Sequence, residues 1–118
     1  MSEEVKENTE NKEATEEQDY YDDVYNFDVS ICEYLIPRLG SFMKHCDSVP
    51  PKRVDKARVT DQDGETVYLT TKEWETILQE MIDGFSEYIK DETHVHCDYD
   101  KIDKALDHFR NYFYDLWI

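Results

Sequence analysis

Histidine and cysteine side chains have the most specific chemistry in this chain, and five of the seven fall into two short groups. His94, His96 and Cys97 lie within four residues, and His45 is followed directly by Cys46. Imidazole and thiolate groups bind zinc when four of them converge, typically as regularly spaced pairs. The sequence contains neither a C-x-x-C nor an H-x-x-x-H pair. It therefore predicts an ordinary loop between helices here, with no metal and no cofactor.

The segment Asp61-Gln62-Asp63-Gly64 is similar to the turn of a calcium-binding loop. With Gly64 at position 6 of the EF-hand spacing, Val59 and Thr70 would occupy positions 1 and 12, and neither carries a carboxylate. Asp-Gly between two β-prone runs is instead a strong signal for a hairpin. We therefore predict a small β-hairpin over about residues 54–70.

Nucleophilic catalysis requires a cysteine or serine, a base and an orienting group that the fold brings together. Cys32 lies on an apolar stripe, which predicts that it belongs to the core. The 29 acidic residues are too abundant for one pair to stand out as general acid and base. No glycine-rich phosphate loop is present, so the sequence predicts a protein that is not an enzyme.

Charge is the strongest compositional feature, with 13 basic and 29 acidic residues and a net charge of −16 over 118 residues. Residues 1–28 contain eleven acids and two bases (−9), whereas residues 44–58 contain five bases and two acids (+3). Such a field repels free nucleic acid and anionic membranes. It favours basic protein surfaces, including the grooves that hold DNA or RNA. The polar N-terminus has no apolar signal-peptide region, so we expect an intracellular protein with reduced thiols.

The N-terminal region differs from the rest of the chain. Residues 1–18 contain no aromatic residue and one branched apolar residue, Val5, which predicts a disordered acidic tail before a single domain over residues 19–118. Residues 19–28 form an acidic aromatic segment, whose rings either pack onto the domain or bind a partner. A plain solubilising role is the alternative. The candidate partner-binding residues in this segment are Asp19, Tyr20, Tyr21, Asp22, Asp23 and Tyr25.

Apolar residues that recur every three or four positions predict three amphipathic helices. The first begins near Asp28 and crosses Pro37, where we expect a kink or two abutting helices. The second begins with a capping box at Thr70, and the third is capped by Asp98 or Asp100. Such stripes are buried only against one another, so the predicted fold is mainly α: a three-helix bundle with a small β-hairpin.

The helical periodicity also divides inward from outward positions on the last two helices. We predict that Trp74, Phe85, Phe109 and Trp117 meet in one core. The opposite faces are acidic and are candidates for binding a partner. Their residues are Glu73, Glu80, Asp83 and Glu87 on the second helix, and Asp100, Asp103, Asp107 and Asp115 on the third.

Two segments carry a family resemblance: Pro37-Arg38-Leu39-Gly40-Ser41-Phe42 and the ending Tyr112-Phe113-Tyr114-Asp115-Leu116-Trp117. With the central helix around Trp74, they resemble a group of small bacteriophage proteins over roughly residues 28–117. The resemblance implies a viral origin and assigns no catalytic role. The matching residues are mostly apolar and imply core positions; Arg38 is the polar exception, and we expect it to pair with an acid.

The leading hypothesis is a phage-encoded acidic interaction protein that acts in the host cytoplasm. It would inhibit a host nucleic-acid-binding protein by mimicking nucleic acid, the natural targets being a CRISPR or restriction nuclease or a polymerase. Its partner would be the basic surface of that host protein, with no direct contact to nucleic acid or membrane. The alternative is a phage assembly or accessory module without mimicry, which binds through an apolar interface.

Deletion of residues 1–18 is expected to leave the melting temperature unchanged, because this segment lacks the apolar residues that a core requires. Thermal unfolding of a chain that starts at Asp19, followed by circular dichroism, checks this against the full chain. A drop of many degrees would mean that the tail packs on the domain.

Overall fold

A computed structural model describes residues 24–118, so the predicted acidic tail and residues 19–23 lie outside the described part of the chain. Within residues 24–118 the mainly helical class is confirmed, with three helices and one two-stranded antiparallel hairpin. A single 3-10 turn, Phe113–Asp115, follows the last helix. In chain order the elements are α1 (Phe27–His45), β1 (Arg53–Val54), β2 (Ala57–Arg58), α2 (Thr71–Ile89) and α3 (Tyr99–Tyr112).

The chain divides into two units between Ile31 and Cys32, inside α1. The described part of the first unit begins at Val24, and the amide of Ser30 donates a hydrogen bond to the carbonyl of Asn26 there (3.1 Å). The second unit, residues 32–118, contains the hairpin, α2, α3 and the surfaces considered below.

Helix α1 runs without interruption through Pro37, so the alternative of two abutting helices is wrong. Proline has no N–H to donate, which removes one hydrogen bond from the helix interior. Cys32 and Leu39 are the buried residues of α1, which confirms Cys32 as a core residue. Lys44 and His45 lie in the last turn, where positive charge is favourable.

The hairpin lies nearer to the N-terminus than the sequence predicts. Its strands pair Arg53 with Arg58 and Val54 with Ala57, around a turn at Asp55-Lys56. Both turn residues have positive φ (48° and 72°), a conformation in which glycine or asparagine is usual. The amide of Lys56 donates to Oδ1 of Asn111 on α3 (3.1 Å), so a distant contact supports a turn that local sequence does not announce.

The predicted Asp-Gly turn is also present, but it joins two runs that pair only at isolated positions. The amide of Gly64 donates to the carbonyl of Asp61 (3.1 Å), and Gly64 has a φ of +79°. One isolated antiparallel bridge joins Thr60, just before the turn, to Thr66, just after it. The run after the turn also pairs with the segment before β1, since the backbone amide of Lys52 donates to the carbonyl of Val67 (2.8 Å).

Local signals fix the starts of α2 and α3. The amide of Glu73 donates to Oγ1 of Thr70 (3.1 Å), and the amide of Thr70 donates to Oε1 of Glu73 (2.9 Å), which confirms the capping box. The side chain of Asp98 caps α3 by accepting hydrogen bonds from the amides of Asp100 and Lys101. Of the two caps that the sequence predicts, Asp98 is therefore the one that is used.

The core lies mainly between α2 and α3, and Leu78 and Met81 are almost completely buried. The rings of Phe85 and Phe109 are 6.1 Å apart, and those of Trp74 and Tyr112 are 5.5 Å apart. The other buried apolar residues are Cys32, Leu39, Leu69, Ile102 and Ala105.

Trp117 was predicted to belong to this core, and that prediction is wrong because its side chain is 72% exposed. Helix α3 ends at Tyr112, and the chain then tightens into the 3-10 turn, so the helical phase does not extend to Trp117. Leu106, which helical periodicity from Ile102 and Phe109 would place on the apolar side, and Phe113 are 50% and 58% exposed.

Glycine is required where α2 crosses α3. A Cβ atom at Gly84 would overlap Cβ of Ala105 and the carbonyl oxygen of Lys101. The absence of a side chain therefore permits the close approach of the two helices.

Gly84→Ala is expected to lower the free energy of unfolding by ~1–3 kcal/mol, the usual cost of overpacking. Gly40→Ala in α1 is the matched control, since a Cβ there meets nothing within 4 Å. It is expected to raise stability by ~0.5–1 kcal/mol because alanine favours helix. Urea unfolding measures both, and a Gly84→Ala protein as stable as the wild type would contradict the close approach.

Candidate partner-binding surface

Three exposed aspartates, Asp100, Asp103 and Asp107, lie on one face of α3. Their spacing of three and four residues separates them by about 4.5 and 6 Å along the helix axis. None of them forms a salt bridge with any residue in the range 24–118. We call these three residues the acidic stripe.

Most nearby cations are engaged by other carboxylates. Lys104 pairs with Glu80, and Arg110 pairs with Asp55 at 3.0 Å. Lys90 pairs with Glu87. Because these cations are held elsewhere, the negative charge of the acidic stripe faces solvent.

Glu80 was predicted to face outward, but it joins α2 to α3. Its side chain is 28% exposed, and it accepts hydrogen bonds from Lys104 and from Nε2 of His108 (3.2 Å). Burial disfavours the ionised form, but the bonds from Lys104 and His108 outweigh it and lower the pKa of Glu80. Glu80 therefore stabilises the helix pair and belongs to the interior network.

Glu87 was also predicted to face outward, and that prediction is wrong, since the residue is only 9% exposed. Its hydrogen bond from Lys90, and the bond that the Asp98 amide donates to Oε2 (2.8 Å), lower the pKa of this carboxyl. The loop of residues 90–98 folds back over the end of α2, which helical periodicity cannot reveal. Glu87 thereby connects the end of α2 to the start of α3.

Asp115 is the third acid that was wrongly assigned to an outward face. Its side chain is 9% exposed and forms a double hydrogen bond with Arg53, from Nε to Oδ2 (2.7 Å) and from Nη2 to Oδ1 (3.1 Å). The hydrogen bond to Asp115 raises the pKa of Arg53. This partly buried ion pair joins residues 62 positions apart, a separation over which no local sequence pattern indicates a contact.

The remaining candidates are exposed or undescribed. Asp83 is exposed on α2 and accepts a hydrogen bond from Nε2 of Gln79 (2.9 Å), and Tyr25 is 69% exposed in the first unit. Asp103 and Asp107 share the acidic stripe with Asp100. Five candidates lie outside the described residues: Asp19, Tyr20, Tyr21, Asp22 and Asp23.

Arg38 does not pair with an acid among the described residues, contrary to expectation. Its Nη1 donates to the carbonyl of Tyr34 (3.0 Å), and its guanidinium carbon lies 3.7 Å from the centre of the Tyr34 ring. Arg38 therefore stays within α1 and packs on the helix surface.

His94 and Cys97 hold the loop after α2 against the last turn of that helix, whereas His45 and Cys46 bond locally to the carbonyls of Ser41 and Ser48. Nδ1 of His94 donates to the carbonyl of Tyr88 (2.9 Å), and the two rings stack with centres 4.1 Å apart. The thiol of Cys97 donates to the carbonyl of Glu87 (3.5 Å), and burial raises the pKa of this thiol. These bonds satisfy carbonyls of the last turn of α2. Within residues 24–118, no three His, Cys, Asp or Glu side chains are arranged to hold a metal ion.

A second surface feature is a cleft of about 380 Å³ beside the Arg53–Asp115 ion pair. Three exposed aromatic side chains line it, Tyr68, Tyr114 and Trp117. We call it the aromatic cleft. Its further lining residues include Pro50, Pro51, Arg58 and the buried Trp74.

Sequence reasoning missed the aromatic cleft because it placed Trp117 in the core and Tyr68 in a hairpin strand. Trp74, at the base of the cleft, is 3% exposed, and its indole N–H has no hydrogen-bond acceptor among the described residues. A buried donor without an acceptor is uncommon and costs ~1–3 kcal/mol.

No helix in the described part of the chain is long and apolar enough to cross a membrane. Comparisons of the chain with protein-family models, curated proteins and solved structures found no match. Function is therefore inferred from the chemistry of these surfaces.

Glu87→Gln is expected to lower the melting temperature near neutral pH and to have a progressively smaller effect in acid. The folded-state pKa of Glu87 lies below its ordinary value of 4.5, so its charge stabilises the fold above that pH. That contribution is lost as the pH falls through the folded-state pKa. Melting curves from about pH 7 down to pH 2 measure this, with the exposed Glu75→Gln on the same helix as control. An effect of equal size at all pH values would contradict a role for the charge.

Proposed function

We propose that this protein is an acidic interaction protein that binds a basic surface of a partner protein through the acidic stripe of α3. The observation that carries the proposal is a row of three exposed carboxylates on a helix fixed by core packing, none of which forms a salt bridge with a residue in the range 24–118. Asp83 on α2 is a further exposed carboxylate. A net charge of −16 steers such a molecule toward basic surfaces.

The cost of this arrangement supports a role in binding. Like charges three and four residues apart on a helix destabilise it by ~0.2–0.5 kcal/mol per pair. The acidic stripe contains two such pairs, Asp100 with Asp103 and Asp103 with Asp107. A basic partner would neutralise both pairs at once, so the repulsion present in the free protein favours complex formation.

More specifically, we propose that the protein inhibits a host nucleic-acid-binding protein by mimicking nucleic acid. Carboxylates at regular intervals would occupy the Lys and Arg side chains with which a host protein holds phosphates, and would thereby block its substrate. A CRISPR or restriction nuclease or a polymerase of a bacterial host fits this chemistry, with the inhibitor acting in the host cytoplasm. The viral origin rests on the resemblance to bacteriophage proteins. The proposed activity contains no catalytic step.

A second candidate is a phage assembly or accessory module that binds through an apolar interface. Leu106 on α3 and Phe113 in the 3-10 turn that follows it, 50% and 58% exposed, favour it. The two candidates differ in their dependence on salt. Binding driven by charge weakens steeply as ionic strength rises, whereas an apolar interface is little affected.

Simultaneous Asp100→Lys, Asp103→Lys and Asp107→Lys changes are expected to abolish partner binding and to leave the helical circular dichroism intact. Each single reversal is expected to weaken binding only modestly, since an exposed ion pair contributes ~0.2–1 kcal/mol. The partner is first captured from a bacterial lysate and identified by mass spectrometry. Its dissociation constant is then measured for each variant at low and at physiological salt.

The matched control reverses three exposed acids outside the stripe, Glu33, Asp47 and Glu92, and so changes the net charge equally. This control is expected to retain most of the affinity, because position as well as charge matters. If the folded stripe variant binds as tightly as the wild type, the acidic stripe is not the interface. Binding that is insensitive to salt would then favour the apolar module.

A further inference from the structure

The aromatic cleft is distinct from the acidic stripe and has the opposite local charge. Tyr68, Tyr114 and Trp117 are 60%, 58% and 72% exposed, and all three line the same cleft. Clustered exposed aromatic side chains mark binding surfaces, because a soluble protein otherwise gains little from keeping them in water. A volume of about 380 Å³ is adequate for a small ligand or a short peptide segment.

The walls of the cleft are held in place by the fold. Tyr114 lies in the 3-10 turn next to Asp115, whose carboxylate is fixed by Arg53. Tyr68 is bridged to Pro51, and the amide of Leu69 donates to the carbonyl of Pro50 (3.0 Å). The rings of Tyr68 and Tyr114 are therefore carried by backbone segments that the fold holds in place, which lowers the entropic cost of binding.

The cleft carries a positive charge that can pair with an anionic ligand. Asp115 neutralises Arg53, but the side chain of Arg58 is exposed and makes no hydrogen bond or ion pair with the described residues. Arg58 closes the segment of residues 44–58, which has a net charge of +3 in a strongly acidic protein. Repulsion from distant acids is screened beyond ~8 Å at physiological salt, so the local cation dominates.

We propose that the aromatic cleft binds an extended acidic peptide segment of a partner protein. A proline or aromatic side chain of the peptide packs between Tyr68, Tyr114 and Trp117, and a neighbouring carboxylate pairs with Arg58. Proline-containing peptides suit aromatic-lined grooves because their extended conformation is formed before binding. The carboxylate selects acidic over basic segments, so the cleft and the acidic stripe recognise opposite charges. The proposal does not depend on the function proposed for the stripe.

The test uses the full chain and two fluorescein-labelled peptides with blocked ends. In one, two glutamates flank a Pro-Tyr pair; in the other, lysines replace both glutamates. Fluorescence anisotropy at physiological salt is expected to give a dissociation constant at least ~10-fold lower for the glutamate peptide, equivalent to about 1.4 kcal/mol. Emission from Trp117 is expected to shift to shorter wavelength as the ring leaves water.

Two variants at exposed positions test the assigned contacts. Trp117→Ala is expected to weaken binding of the glutamate peptide at least ~10-fold, as for other aromatic anchors of interfaces. Arg58→Gln is expected to weaken it about fivefold and to remove most of the preference over the lysine peptide. Lys72→Gln removes the same charge outside the cleft, and Leu106→Ala removes an exposed apolar side chain; both are expected to bind as the wild type does. Circular dichroism confirms that each variant is folded.

The proposal is overturned if the two peptides bind equally, or if neither binds up to ~1 mM. It is also overturned if Trp117→Ala and Arg58→Gln leave the affinity of the glutamate peptide unchanged. Analytical sedimentation tests the remaining alternative, in which a second copy of the chain occupies the cleft. Should the wild type be a dimer that Trp117→Ala converts to a monomer, the cleft is covered by a second copy of the chain and is not a peptide site.

Discussion

Helices α2 and α3 come into close contact where Gly84 faces Ala105 and the carbonyl of Lys101. This contact fixes the rotation of α3 about its own axis, and so determines which of its side chains meet α2. Lys104 and His108 reach Glu80 on one side. The acidic stripe is consequently directed to solvent, and a bulkier residue at Gly84 would disturb the core and the distribution of charge together.

Two groups among the described acids have different physical roles. Glu80, Glu87 and Asp115 are wholly or partly buried, paired with cations, and connect elements of the second unit. Asp115 is the most costly of the three to remove, because its partner Arg53 is itself only 10% exposed and would be left without compensation. The acidic stripe has no such partners, and its repulsion opposes folding. A protein that retains both groups combines a network that holds the fold with a surface that gains from a cationic partner.

The sequence predicted the features that depend on neighbouring residues. The Thr70 capping box and the Asp98 cap are set by bonds across two to three positions, and the core side of α2 follows from periodicity. The failures involve contacts between distant residues. Glu87 is buried by a loop that returns to it, and Asp115 by an arginine 62 positions away. Trp117 was misplaced because periodicity was extended past the end of α3.

The turn at Asp55-Lys56 also has a consequence for the aromatic cleft. Its left-handed residues are supported by Asn111 and Arg110, each bond spanning 55 positions. Contacts between such distant segments close a long loop of chain, at an entropic cost that a self-sufficient local turn avoids. The conformation of the turn therefore depends on where the end of α3 lies, and not on the turn residues alone. Since Arg58 lies on that hairpin and Tyr114 follows α3, the geometry of the aromatic cleft depends on the same two contacts.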